Sequence, residues 1–203
     1  RVTDTLTSLA LSPNVGAVLL VSLGCEGTDT QKIMEEVEKS GKPLEVIRIQ
    51  ELGGVSAAIK AGIDAAQELV MLVSGIQRQP VSIDRITMAI KCGASDTTSG
   101  MASNCVVGYV ADKLVDLGAT VVFGETEFLG GEHLLARRAV NPEVSDKIYE
   151  IVNRMEARAR SLGCDMRKGQ PTPGNIEGGL SSIEEKSLGA IVKSGTRPIQ
   201  GVM

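Results

Sequence analysis
Apolar residues along this chain fall into two kinds of stretch. Short ones of strand length, at residues 17–23, 44–49, 86–90 and 119–123, alternate with longer ones whose apolar positions recur every three or four residues. The first, Ala17-Val18-Leu19-Leu20-Val21-Ser22-Leu23, is nearly unbroken, as suits a strand covered on both faces. Gly24-Cys25-Glu26-Gly27 ends it, and Thr28 or Asp29 can cap a helix predicted over 30–40. That helix sets Ile33, Met34 and Val37 opposite Glu35, Glu36, Glu38 and Lys39, and Gly41 suits a left-handed stop. Further helices are predicted over 56–73 and over 104–117, the latter burying Val106, Val107, Val110, Leu114 and Leu117.

Beyond the fourth strand the pattern turns helical, over 132–139 and over 142–162, where Pro142 and Glu143 suit a first turn. Residues 164–180, with two prolines and four glycines, read as a long loop. Ser181-Ser182-Ile183-Glu184-Glu185 reads as the capped start of a last helix reaching Lys193. Alternating strands and helices predict an α/β fold: a Rossmann-like, mostly parallel sheet of four or more strands flanked by helices. With four strands the sheet reads as incomplete. Residues 1–203, which start at Arg1, are accordingly expected to be one Rossmann-like region, a fragment of a larger catalytic subunit.

The composition narrows the partners. A net charge of −4 offers no basic footprint for nucleic acid, and no apolar run approaches a bilayer span or forms a signal peptide. Aromatic residues make up 2% of the chain, so Val, Ile, Leu, Met and Ala must form the core. Cys25, Cys92, Cys105 and Cys164 have no disulfide-style spacing; free thiols and a cytoplasmic location are expected, with Cys105 and Cys164 as packing residues.

Ligands of open α/β sheets bind beyond the carboxyl ends of the strands. Three predicted strands run there into polar loops: Gly24-Cys25-Glu26-Gly27, Lys91-Cys92-Gly93-Ala94-Ser95-Asp96 and Gly124-Glu125-Thr126-Glu127. Thiols and carboxylates together suit a first-row divalent metal, and helix N-termini behind the loops favour an anionic ligand. Glu125, Glu127 and Glu132 with His133, the single histidine, are candidates for a metal ligand or a base that removes a proton α to a carboxylate. Thr172-Pro173-Gly174-Asn175 with Gly178-Gly179 reads equally as ligand-facing or structural. The absence of GxGxxG, P-loop, HExxH and GxSxG patterns argues against nucleotide binding and serine hydrolysis.

Taken in order, several motifs resemble the altronate/galactarate dehydratase family: Pro13-Asn14-Val15 leading to Leu23-Gly24-Cys25-Glu26, Ile49-Gln50 with Gly53-Gly54, and Lys91 to Asp96 with Ser99-Gly100. Glu125-Thr126-Glu127 with Glu132-His133, Pro171-Thr172-Pro173-Gly174-Asn175, Gly178-Gly179-Leu180 and Glu185-Lys186-Ser187-Leu188-Gly189 complete the series across nearly the whole chain. The resemblance implies a lyase dependent on a divalent metal, Fe²⁺ or else Mn²⁺, that dehydrates a sugar acid by abstracting the α-proton. Sulfolactate sulfo-lyase large subunits look similar and imply release of sulfite, and the Asp165-Met166-Arg167 to Gln170-Pro171 stretch looks closer to such stand-alone subunits. Ala94 and Thr97-Thr98 depart from the family pattern and leave the substrate open. The expected catalytic residues are Glu125, Glu127, His133 and Lys186; Lys91, Ser95, Asn175 and Gly178 are expected to bind substrate, and Cys25, Glu26, Cys92 and Asp96 to bind metal. The expected partners are a small hydroxy acid, a small β-clip domain or subunit, and further copies of the chain. A non-catalytic binding or assembly module is the alternative.

Overall fold
The first apolar run forms β1 (Val18–Ser22), the second β2 (Leu44–Arg48), and between them runs helix α2 (Thr30–Lys39). These belong to a computed structural model that describes residues 1–124 and 128–203. Two compact units divide it, Arg1–Gln79 and Pro80–Met203.

In the first unit β1 and β2 pair in parallel, with Val18 opposite Leu44 and Ser22 opposite Arg48. Asp29 caps α2 by accepting from the Lys32 amide at 3.0 Å, and Gly41 beyond its end has φ +73°, as the left-handed stop requires. Ile33 and Val37 of α2 are fully buried, joined in the core by Ile47, Ala58 and Leu69. The opening helix α1 (Val2–Ala10) was not legible in the pattern. The Lys42 ammonium donates to the Ala10 and Ser12 carbonyls at 2.9 and 2.6 Å, supplying the donor that a helix C-terminus lacks. Helix α3 (Val55–Ser74) completes the unit.

In the second unit β3 (Thr87–Ile90) and β4 (Thr120–Phe123) form another parallel pair, connected through α4 (Asn104–Asp116). Among the described residues the strands thus form two two-stranded sheets instead of the single larger sheet that the alternation predicts. Apolar runs report that a segment is extended; which edges pair depends on contacts distant in sequence. Helices α5 (Glu132–Ala136), α6 (Pro142–Ser161), α7 (Met166–Gly169), α8 (Pro173–Glu177) and α9 (Ile183–Val192) follow. The stretch expected to be a bare loop therefore contains α7 and α8. The core gathers Phe128, Leu129 and Leu135 with Val144, Ile148 and Val152 of α6 and Ile183 and Ile191 of α9. Cys105 and Cys164 are exposed, so neither is the packing residue expected.

Helix α4 departs most instructively from expectation. Val106, Val110 and Leu117 are exposed, at 63%, 41% and 57%, whereas Gly108 and Ala111 are buried. The inward face is the stripe Gly100, Asn104, Gly108 and Asp112, spaced by four residues through a π-helical turn (Ser99–Ser103) into α4. Asn104 donates to the Gly189 carbonyl at 2.8 Å, and Asp112 accepts from the Thr196 amide and hydroxyl, each at 2.7 Å. A side chain at Gly108 would collide with the Val192 carbonyl, and one at Gly100 would lie 3.4 Å from the Gly189 Cα. Small residues are turned inward because they let the α9 backbone approach. Replacing a helical glycine by alanine ordinarily stabilises by about 1 kcal/mol. Here the clash reverses the sign: Gly108→Ala is expected to lower the unfolding free energy by about 1–3 kcal/mol in urea denaturation. A neutral or stabilised variant would contradict this packing.

Candidate functional site
The loop after β3 is shaped by its own polar groups. Cys92 Sγ and Ser95 Oγ share a hydrogen bond at 2.9 Å. Asp96 Oδ1 accepts from the Ser99 amide at 2.8 Å, the Ser99 hydroxyl at 3.0 Å and the Thr98 hydroxyl at 2.7 Å, capping the helical segment that begins at Thr97. The Thr98 hydroxyl first, then the Ser99 amide and hydroxyl, hold the Asp96 carboxyl below the usual carboxylate range. The helix start expected to attract an anionic ligand already faces a carboxylate of its own.

Helix α8 supplies the opposite wall. Asn175 is 8% exposed and works in three directions. Its Oδ1 accepts from the Thr172 amide at 3.3 Å and from the Lys186 ammonium at 3.2 Å, while its Nδ2 donates to the Ser95 carbonyl at 2.8 Å. The Thr97 amide and hydroxyl both donate to the Gly178 carbonyl, at 3.0 and 3.2 Å, so the two loops are stapled together. Gly178 is obligatory at this seam, since a Cβ there would stand 2.8 Å from the Asp96 Cβ. The motif at 172–179, readable as ligand-facing or as structural, has a structural role here, and Thr172, Gly174, Asn175 and Gly178 also line a cleft.

Lys186 lies on α9 and is 9% exposed. Its ammonium donates to Gln170 Oε1 at 2.7 Å and to Asn175 Oδ1 at 3.2 Å. A buried ammonium is tolerated only where acceptors replace its hydration, and these amide oxygens do so. Loop, α8 and α9 enclose a cleft of about 600 Å³, within the range of small-molecule sites. Of the residues expected at the site, Lys91, Cys92, Ser95, Asp96, Asn175, Gly178 and Lys186 line it together. Gln170 and Thr172 line it too. The sequence marks Thr172 only within the motif at 172–179 and Gln170 only as the residue before Pro171, and neither is among the expected catalytic or substrate-binding residues.

Other expected residues lie elsewhere. His133 is exposed in the first turn of α5 and is not among the lining residues. Glu125 and Glu127 lie outside the described residues. Cys25 and Glu26 belong to the first unit. There Glu26 folds back on its strand end, accepting from the Ser22 hydroxyl at 2.5 Å and the Gly24 amide at 2.7 Å, and the Ser22 hydroxyl is the chief cause holding its carboxyl low. Gln50 Nε2 donates to the exposed Cys25 Sγ at 3.3 Å. Among the described residues no three His, Cys, Asp or Glu side chains group to hold a metal ion.

The cleft lies at the carboxyl end of a parallel strand, where ligands of α/β proteins bind, and is lined by two lysines and amide side chains. Residues 83–203 match the family described as D-galactarate/Altronate dehydratase, C-terminal, and residues 1–74 match the D-galactarate dehydratase/Altronate hydrolase, second domain. The chain belongs to this family. It is 41% identical to the (2R)-sulfolactate sulfo-lyase subunit beta of Chromohalobacter salexigens, over 98% of this chain and 51% of the relative. It is 33% identical to the galactarate dehydratase (L-threo-forming) of Escherichia coli, over 98% of this chain and 39% of the relative. With the altronate dehydratase of Bacillus subtilis the identity is 31%, over 94% and 38%. The chain thus spans about half, or less, of the length of these relatives.

The Asp96 cap has a pH signature. A lowered folded-state pKa means that its stabilisation is complete above the ordinary carboxylate pKa and is lost as pH falls through the lowered one. The hydrogen-exchange protection of the Ser99 amide is therefore expected to be level at neutral pH and to drop in that acid window. Asp96→Asn should show no such drop. A wild-type protection factor that stays level through the window would contradict the cap.

Proposed function
We propose that the protein to which this chain belongs is a lyase that takes a 2-hydroxy acid, removes the proton α to its carboxylate and expels a group from the β carbon. One observation carries the reading: in a family of dehydratases and a sulfo-lyase, Lys186 presents a buried, amide-held ammonium to a polar cleft. Lys91 and Lys186 hold the substrate carboxylate, with Ser95, Asn175 and the Gly178 segment around the hydroxyl groups. A base removes the α-proton, and Glu125 or Glu127, which follow in sequence the end of β4, the strand paired with β3, is the group of suitable chemistry. The C–H electrons form the C2–C3 double bond as the C3 substituent departs with its own pair. The resulting enol takes up a proton and gives a 2-keto acid.

The leaving group separates two versions. Loss of hydroxide from a sugar acid such as altronate or galactarate needs a proton at the departing oxygen, a role for Lys186. Sulfite leaves sulfolactate as a stable anion and needs none. The higher identity to the sulfo-lyase subunit, 41% against 31–33% for these dehydratases, favours sulfolactate. In that version a small β-clip partner subunit completes the enzyme.

A divalent metal, Fe²⁺ or Mn²⁺, stays part of the proposal, with Cys92 and Asp96 as candidate ligands in the cleft and Cys25 and Glu26 in the first unit. When bound it would supply Lewis-acid polarisation of the substrate. A cytoplasmic location fits a chain in which, among the described residues, no helix is long and apolar enough to cross a membrane. The Rossmann-like reading is kept for each unit by itself: β1–α2–β2 and β3–α4–β4 are each a parallel pair joined through a helix, the repeating element of that architecture.

The test is product formation by the complete enzyme, prepared anaerobically with and without ferrous iron. Sulfite from (2R)-sulfolactate and keto acid from altronate or galactarate are followed side by side. One of these is expected to react, and Lys186→Met to lower kcat/KM about 100-fold or more. Failure of all three substrates would sink the lyase reading.

A further inference from the structure
Among the described residues, two amide side chains accept from the Lys186 ammonium, and they are not equivalent. Asn175 is buried and pinned by the Thr172 amide, the Ser95 carbonyl and the lysine. Gln170 follows the last residue of α7, in extended backbone, and its side chain is half-buried. Among the described residues its side chain has one hydrogen-bond partner, the Lys186 ammonium, at 2.7 Å. It lines the cleft, as Asn175 and Lys186 do, but unlike the buried Asn175 it is partly open to solvent.

We infer that Gln170 is a placeholder: its Oε1 occupies the position on Lys186 Nζ that the carboxylate of a bound hydroxy acid takes, and it swings out when that ligand enters. The inference rests on reading the cleft as a hydroxy-acid site. Three physical points support it. A carboxylate is a charged acceptor and bonds an ammonium about twice as strongly as a neutral amide oxygen does, so it wins the exchange. Asn175 remains behind and keeps Lys186 aimed, so the exchange leaves the wall of the site standing. The displaced glutamine is a long side chain beside open space, and releasing it breaks one hydrogen bond. The same bond is one of those that replace the hydration of a buried ammonium.

A placeholder and a supporting residue predict opposite signs. The probe is malate, a hydroxy dicarboxylate, titrated calorimetrically into the full-length protein and its variants. Gln170→Met keeps the length of the side chain and removes the acceptor, so the ligand no longer has to displace a bond. It is expected to bind malate about three- to ten-fold more tightly than wild type, and Gln170→Ala to shift in the same direction. Lys186→Met is expected to weaken binding at least ten-fold, with circular dichroism checking that each variant is folded. If malate binds and depends on Lys186 but Gln170→Met binds equally or more weakly, the placeholder is wrong and the reading of the cleft survives. If wild type does not bind malate, or binding ignores Lys186, both fall. Tighter binding in both Gln170 variants supports the inference whatever the turnover assay finds.

Discussion
The closest constraint in the second unit is the approach of the α9 backbone to α4, which leaves no room for a Cβ at Gly108 and little at Gly100. Helix α9 carries Lys186, and the segment capped by Asp96 leads directly into α4. The distance between the lysine and the loop after β3 is therefore set by a contact of two backbones and not by flexible side chains. Asn104 locks the crossing through the Gly189 carbonyl, and Asp112 holds the chain just beyond α9 at Thr196. Backbone contacts of this kind have few alternative arrangements, which is the property that a site depending on tenths of an ångström needs.

On that frame the polar groups divide into those that build the cleft and those that face its contents. Asp96 caps a helix, and Asn175 links the α8 turn, the Lys91–Asp96 loop and α9. Each is satisfied mainly by the protein. Lys186 belongs to both groups: its charge is buried, and among the described residues the amide oxygens of Gln170 and Asn175 accept from it at the edge of the cleft. A hydroxy acid entering such a site meets cations, Lys91 and Lys186, and a wall of amides and hydroxyls. This suits a carboxylate at one end and hydroxyl groups along the body of the ligand.

Much of this was legible in the residues. The four strands lie where the apolar runs place them, and the caps at Asp29 and Ser182 and the stop at Gly41 follow from elementary helix-end chemistry. The motifs around Lys91, Asn175 and Lys186 do meet in one cleft. The inward face of α4 was misjudged because apolarity marks burial by side chains, whereas Gly100 and Gly108 are buried by close approach of backbone. Strand pairing was misjudged because an apolar run carries no record of its neighbour. Gln170 was passed over because a glutamine in a loop has no periodicity; only its reach to the Lys186 ammonium distinguishes it.

The proposed elimination needs a carboxylate anchored where the α-proton is accessible, and Lys186 is the proposed anchor. A crystal structure of the full-length protein with malate bound tests this most directly. The predicted result is a ligand carboxylate within hydrogen-bond distance of Lys186 Nζ, with Asn175 still on the lysine. Malate bound elsewhere, with the lysine held as before by Gln170 and Asn175, would contradict it.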